Sequence, residues 1–462
     1  MPSTGINQNG TKKPLTPKIS LMKISRIVFI ALIVFTLTAC YPTSPASQPS
    51  PTPLENSVAA SPSNTSQAPT PTIPLAPTQE AAATSSTSAT APEPPTPTPE
   101  PAGSPGIILF IGDGMGLNQR LAATWLVSGE GGLLVMDNMP VHGMVQTASA
   151  NNPVTDSAAA STAMATGTLT NNGYLGVDPA KNSLTTILEL AQVSGWSVGL
   201  VTTVQLAHAT PGAFASHYPD RSNLPEIARQ ITVHNIDVLL GGGEDDFFSK
   251  DEGGCYPGAG HQKAGSSLVE AALEAGYTYL CTAEELQSLD PTKEDRVLGL
   301  FGGEEMIPPF NPNLAQMTQT ALDILSQDED GFFLMVEAGQ IDWAAHENEA
   351  LQTMQNTVGL DTAVAMAQIY ALENPNTLII VTGDHETGGM RINLDGAGSY
   401  RQDGPFNMPD GRSFWIDWST TGHTPDPIPV TAQGPFSEML AGEYPLTQIF
   451  QVMAAMLFNS GG

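Results

Sequence analysis

Phe332-Phe333-Leu334-Met335-Val336-Glu337-Ala338-Gly339-Gln340-Ile341-Asp342-Trp343-Ala344-Ala345-His346 carries the fold in miniature. Five consecutive apolar residues, 332–336, read as a strand buried on both faces, as central strands of parallel sheets are. A carboxylate, Glu337, follows at once. A helical stretch comes next, in which Asp342 and His346, spaced i and i+4, lie on one face. The same unit recurs on either side. Residues 106–111 form an apolar run followed by Asp113, and 377–382 form another followed by Gly383-Asp384-His385. Shorter apolar strands are expected at 198–202 and 238–240, and helices at 184–193, 314–325, 344–371 and 446–457. Strands alternating with helices imply an α/β fold, a mostly parallel central sheet flanked by helices. Residues 241–301 are less regular, rich in Gly and acidic side chains, and read as a small insertion or cap. The stretch 106–462 suits one large catalytic domain with excursions, and no internal repeat is visible.

Ligand-type residues therefore follow three separate strands. In parallel sheets, sites form beyond the carboxyl ends of strands. A single Asp after a strand is usually a cap or turn residue, but three such positions, one already joined to a His, point to a shared site. Asp342 and His346 add a second carboxylate–imidazole pair, although without neighbours such a pair is commonly a surface feature. His423, in Gly422-His423-Thr424, is on its own a lone loop histidine. Ser157 opens Asp156-Ser157-Ala158-Ala159-Ala160, a run of good helix formers. Its bland reading is a helix N-cap; its functional reading is a nucleophile at a helix N-terminus, where backbone N–H groups favour an anion such as phosphate. A serine needs a base or a metal to become nucleophilic. No Gly-x-Ser-x-Gly elbow surrounds Ser157, which argues against a Ser–His–Asp hydrolase.

Working outward to the whole chain, 462 residues carry 16 Lys plus Arg against 46 Asp plus Glu, a net charge of −30. That excess excludes nucleic acid as a partner, because phosphate backbones are bound through clustered Lys and Arg. Residues 1–39 contain five of those basic residues and no Asp or Glu, followed by the apolar run 27–35 and Leu37-Thr38-Ala39-Cys40. A basic start, a short apolar core and small residues before a cut make a secretory signal peptide, with an uncleaved anchor as the alternative. The Leu-Thr-Ala-Cys ending resembles a bacterial lipobox, which implies lipid on Cys40 and an exported protein held at the outer face of a cell membrane or on the periplasmic side. Met22, just before Lys23, offers an alternative start of more usual length. Residues 41–105 hold 17 of the 39 prolines and no Lys or Arg, a composition that cannot offset its ordering entropy and extends as a semi-rigid spacer. The mature chain would carry 46 acidic and 11 basic residues. Of the three cysteines, Cys255 and Cys281 are left as candidates for a disulfide outside the cytosol, a pairing that spacing alone does not decide.

Five motifs stand in a fixed order: Gly112-Asp113-Gly114-Met115-Gly116, Thr155-Asp156-Ser157-Ala158-Ala159-Ala160, the Glu337 to His346 stretch, Thr382-Gly383-Asp384-His385-Glu386-Thr387-Gly388-Gly389, and Gly422-His423-Thr424. In this order the chain closely resembles an alkaline phosphatase over essentially all of 106–462. The resemblance implies a phosphomonoesterase acting on small phosphate esters through a phosphoserine on Ser157, with two zinc ions and a third metal, usually magnesium. By position, Asp342, His346 and His423 look like ligands of the first zinc. Asp113, Asp384 and His385 look like those of the second, which Ser157 would face. Glu337, Thr210 and again Asp113 look like the third site, and Arg221 matches the phosphate-binding arginine, against the plain reading of a surface salt bridge. A homodimer is compatible with the resemblance. Two departures from many bacterial members stand out: His208 for Asp makes the third site richer in nitrogen, so zinc or cobalt competes with magnesium there, and Trp343 for Lys removes a positive charge near the phosphate, which changes how tightly product is held.

The rivals are a phosphodiesterase of the same superfamily, a sulfatase and a non-catalytic lipoprotein that captures phosphate or metal. A sulfatase would carry Cys-x-Pro-x-Arg at the nucleophile. Arg221 and the third-site residues favour a monoester dianion over a diester. A capture protein has no need of a complete nucleophile and metal set.

Overall fold

The computed structural model describes residues 103–395 and 401–459. The expected signal peptide, the lipidated Cys40 and nearly all of the spacer lie outside the described residues. Within them the strands are, in chain order, β1 (Gly106–Gly112), β2 (Val141–Gln146), β3 (Ser197–Gln205), β4 (Val238–Gly242) and β5 (Thr278–Leu280). There follow β6 (Val297–Leu300), β7 (Phe332–Ala338), β8 (Thr377–Gly383), β9 (Glu386–Thr387) and β10 (Arg391–Asn393). The last five are β11 (Arg401–Asn407), β12 (Ser413–Trp418), β13 (His423–Thr424), β14 (Ile428–Gln433) and β15 (Gly442–Pro445). Ten of them form one sheet in the order β15-β2-β14-β8-β1-β7-β3-β4-β6-β5. The run from β8 to β5 is parallel throughout, whereas β14 is antiparallel to both β8 and β2. The expected mostly parallel α/β sheet is the architecture observed.

Strand alternation divides the core. Ile107, Leu109 and Ile111 face one layer with the helices Ser157–Thr166, Ile187–Val193, Ala209–Ala215, Leu224–Val233 and Thr447–Asn459. Ile108 and Phe110 face the other, with Leu314–Leu325 and Ala350–Glu373. Each fully buried Ile or Phe contributes about 1.5–3 kcal/mol relative to exposure, and β1, β7 and β8 are buried along their whole length. Register then fixes where the strands end. Gly112 at the end of β1 pairs with Ala338 of β7 and with Gly383 of β8. Asp113, Glu337 and Asp384 consequently emerge at one level of one edge.

Three elements differ from expectation. The single helix expected over 344–371 is two, Gln340–His346 and Ala350–Glu373. Asn348 adopts a left-handed conformation with φ 57°, which Asn tolerates better than most residues, and the break lets the short helix aim Asp342 and His346 at the site. Residues 241–301, expected as an insertion or cap, supply β5 and β6 to the far edge of the main sheet as well as short helices. Cys255 and Cys281 there form a disulfide with Cα atoms 6.3 Å apart. Finally β2, β14 and β15 widen the sheet at the opposite edge. Neither Val-His-Gly-Met-Val-Gln nor the proline-containing Ile-Pro-Val-Thr-Ala-Gln has the apolar continuity that announces a strand. Among the described residues no helix is long and apolar enough to cross a membrane.

Candidate metal and nucleophile site

β1 delivers Asp113 and then turns through Gly114 at φ 73°, where a Cβ would lie 2.7 Å from the Asp342 Cα. Only glycine permits that approach, and it brings the β1 turn against the helix that carries Asp342. β8 delivers Asp384, whose Oδ1 accepts from the backbone N–H of Gly114 at 3.0 Å and of His385 at 2.8 Å. The His385 Nε2 lies 3.2 Å from Asp384 Oδ2 and 3.6 Å from Asp113 Oδ1. β7 delivers Glu337, which sits in register with Thr202 of β3 and accepts its hydroxyl at 2.5 Å.

Asp342 and His346 are no surface pair. Asp342 is buried, its Oδ2 is 3.2 Å from His346 Nε2, and its Oδ1 is 3.6 Å from His423 Nε2. The two imidazoles converge with their Nε2 atoms 3.1 Å apart, while each Nδ1 faces a backbone carbonyl: that of Thr421 at 2.5 Å for His346 and of Thr155 at 2.9 Å for His423. A ring nitrogen that donates to a carbonyl leaves the other nitrogen's lone pair free, the usual support of a metal-ligating histidine. The loop position of His423 hid this, because β13 pairs with β9 and so carries it beside His385, ring centroids 3.5 Å apart. Its partners are distant in sequence.

Ser157 resolves differently from its bland reading. The N-cap is Asp156, whose side chain accepts from the N–H of Ala159. Ser157 begins the helix with its hydroxyl uncommitted to capping, 3.3 Å from His385 Nε2 and 3.5 Å from Asp113 Oδ1. Arg221 reaches the same region. Its Nη1 donates to Asp156 Oδ2 at 3.1 Å, and its Nη2 lies 3.3 Å from His208 Nε2. Asp156 thus both caps the nucleophile's helix and orients the guanidinium, a double role that the sequence reading, which considered Ser157 as the cap, did not assign.

His208 was weighed only as a departure at the third site. Folding places it with Asp113 and Glu337, ligand atoms of the three within 4.8 Å of one another, and sets its ring edge-on to Trp343 at 5.7 Å. Thr210 follows two residues later, fully buried. Two further sets share this geometry: Asp113 with Asp384 and His385, and Asp342 with His385 and His423. Thr387 was also missed. Its hydroxyl donates to Asp342 Oδ1 at 2.5 Å and lies 3.2 Å from His385 Nδ1. No local signal marks Thr202 or Thr387; register alone places them.

Charge balance tests whether cations fit. Asp113 Oδ2, Glu337 Oε1 and Asp384 Oδ2 are buried with no hydrogen-bond partner. Burial, reinforced by Asp384, Asp342 and Glu337, drives the Asp113 carboxyl well above its ordinary range. Burial likewise pushes Glu337 up to about 7, although the Thr202 hydroxyl opposes it. Burial would raise Asp342 too, but the hydrogen bond from His346 and the charges of His385, His346 and His423 hold it low. Burial, and then Arg221, lowers His208 to about 3, leaving it a neutral donor. Buried carboxylates with open lone pairs beside imidazoles are the donor set of divalent cations.

A serine among metal-type ligands at the carboxyl edge of an α/β sheet defines a metal-dependent hydrolase. The profile of the family described as Alkaline phosphatase matches residues 105–408. Alkaline phosphatase 3 of Bacillus subtilis (strain 168) is 31% identical over 429 residues, covering 76% of this chain and 89% of the relative. Streptomycin-6-phosphate phosphatase of Streptomyces griseus is 32% identical over 412 residues, covering 76% of this chain and 90% of that protein. The solved structure of alkaline phosphatase from the Antarctic bacterium TAB5 superposes with a TM-score of 0.64 at 28% identity, over 77% of this chain and 98% of that one. The chain belongs to the alkaline phosphatase family and is a phosphomonoester hydrolase.

Proposed function

We propose that the chain hydrolyses small phosphomonoesters in two steps through a phosphoserine at Ser157. Asp342, His346 and His423 would hold one zinc, and Asp113, Asp384 and His385 a second. Asp113, Glu337 and Thr210, with His208, would hold a third ion, magnesium or, given the added nitrogen, zinc or cobalt. Bound there, the cations supply Lewis acidity and favour ionised serine and water oxygens.

The chain's own groups do the rest. The Ser157 Oγ attacks phosphorus, an O–P bond forms, and the ester's alcohol leaves with its oxygen. Arg221, braced by Asp156, offers two N–H groups to two non-bridging oxygens, and the N–H groups opening the helix Ser157–Thr166 add positive potential. Water then attacks the phosphoserine, releasing phosphate and restoring the hydroxyl. The observation that carries this reading is that Asp156 takes the capping role and leaves the Ser157 hydroxyl within 3.5 Å of Asp113 and His385. Acid quenching with a labelled monoester should trap phosphate on Ser157, and Ser157→Ala should lower kcat about 10³-fold or more with metal content near normal. A variant of wild-type activity would overturn the covalent route, and faster cleavage of bis(p-nitrophenyl) phosphate than of p-nitrophenyl phosphate would favour a diesterase.

Export and anchorage belong to the same proposal. Lipid on Cys40 would hold the enzyme at the outer face of a membrane, with 41–105 as spacer, since two or three acyl chains bind stably where one does not. Cys40→Ser should abolish partition into detergent while leaving the catalytic rate unchanged. An unmodified native N-terminus other than Cys40 would replace the anchor with secretion.

A further inference from the structure

Away from the catalytic rim, Glu189, His217 and His234 present one ligand atom each, all within 4.8 Å of one another and each half-buried. They come from three different elements. Glu189 lies in the helix Ile187–Val193, His217 in the loop after the helix Ala209–Ala215, and His234 caps the end of the helix Leu224–Val233. The His217 Nδ1 faces the Gly176 carbonyl at 2.8 Å, which fixes it as an N–H donor. Its Nε2 lone pair then points at Glu189 Oε1, 2.9 Å away. A proton on Nε2 satisfies that pair as it stands, and a metal ion would replace the proton with both groups as ligands to one side of it. His234 Nδ1 lies 3.9 Å from the same carboxylate oxygen, a third donor that a proton shared by His217 and Glu189 does not use.

Supporting contacts hold each group in place. Glu189 Oε2 accepts from the Thr186 N–H within a capping box. Gln192 donates to the carbonyls of His234 and Asn235, and Gln230 accepts from the His217 N–H. A histidine whose second nitrogen donates to a backbone carbonyl, beside a carboxylate that is itself hydrogen-bonded, is the support that metal ligands receive. Gly176 makes the contact possible: it sits at φ 57°, and a Cβ there would lie 2.9 Å from His217 Nδ1.

We propose that Glu189, His217 and His234 form a metal site separate from the catalytic one, taking a divalent first-row transition ion of the zinc class with solvent in the remaining position. Two imidazoles and a carboxylate, with an open fourth position, suit such an ion and disfavour calcium or magnesium. The site braces the segment that presents Arg221. Tyr218 pairs with Leu175, and the Arg221 N–H donates to Gly173, so the stretch after His217 already rests on the 173–176 turn. The ion ties that stretch to two helices.

The test is a zinc count on the full chain, by mass spectrometry after equilibration with zinc and removal of excess. His234→Ala should hold one ion fewer per chain than wild type. Glu189→Gln should lose the same ion while keeping its fold, because Gln also closes a capping box. Excess zinc should raise the thermal midpoint of wild type above that of either variant. Equal zinc counts in wild type and Glu189→Gln would overturn the site and leave a proton-mediated His217–Glu189 pair.

Discussion

Two groups of acids on the same chain, one half-buried to buried and one fully buried, are compensated in opposite ways. Behind β1, Asp137 receives the Arg120 guanidinium at 2.5 Å, and both oxygens of Asp361 accept backbone N–H groups, from Val135 at 3.0 Å and Met136 at 2.8 Å. At the carboxyl edge, Asp113, Glu337 and Asp384 each keep one oxygen with no hydrogen-bond partner among the described residues. The acids of the first group find their partners within the protein. The second is complete only with cations from outside, since an uncompensated buried charge costs several kcal/mol. Buried acids therefore separate into structural and functional ones by whether the chain itself fills their lone pairs.

The largest expected effect falls on the open group. Chelation should reduce p-nitrophenyl phosphate hydrolysis to background and lower the thermal midpoint, and zinc with magnesium should restore both. Undiminished stability in the stripped protein would break the contrast, because the rim would then be satisfied without cations. Within that group Asp342→Ala removes a carboxylate that meets both His346 and His423. About one zinc per chain should be lost and kcat should fall steeply. Unchanged metal stoichiometry would remove Asp342 from the ligands.

The closed group predicts the converse. Arg120 is 2% exposed while the Asp137 side chain keeps 24% of its surface in solvent, so Arg120→Ala should show, on unfolding in urea, a loss of about 1–3 kcal/mol. Metal content and kcat of the folded variant should stay near wild type. A metal deficit instead would mean that the two groups are coupled.

How far the sequence foretold this depends on range. Apolar runs at 106–111, 332–336 and 377–382, each followed by a ligand-type residue, were enough to place Asp113, Glu337 and Asp384 on one sheet edge, because parallel strands of similar length end together. The i, i+4 pair Asp342–His346 was legible for the same local reason. Thr202, Thr387 and the orienting role of Asp156 were not, since each acts through a residue from 45 to 135 positions away. The break at Asn348 escaped notice because helix periodicity continues through it, and the antiparallel edge strands lacked apolar continuity.

The smallest effect concerns a half-buried acid whose partner arginine is exposed. On the helix Leu224–Val233, Arg229 grips Glu226 bidentately at 2.8 and 2.6 Å, and Gln230 adds a contact at 3.0 Å. The Arg229 hydrogen bonds draw the Glu226 carboxyl down to about 2 from its ordinary 4.5. A carboxyl lowered on folding stabilises the folded state above its unfolded value, and the benefit disappears as pH falls from about 4.5 towards about 2. The side chains are 50% and 29% exposed, so water and salt screen the pair, and its worth is about 0.5 kcal/mol or less. Glu226→Gln should accordingly lose about that much near pH 7 at low salt, little in 1 M salt, and nothing near pH 2. Urea titration at the three conditions measures it. A loss comparable to that of Arg120→Ala would mean that exposure does not discount an ion pair here, and burial would then cease to be what divides the acids of this protein.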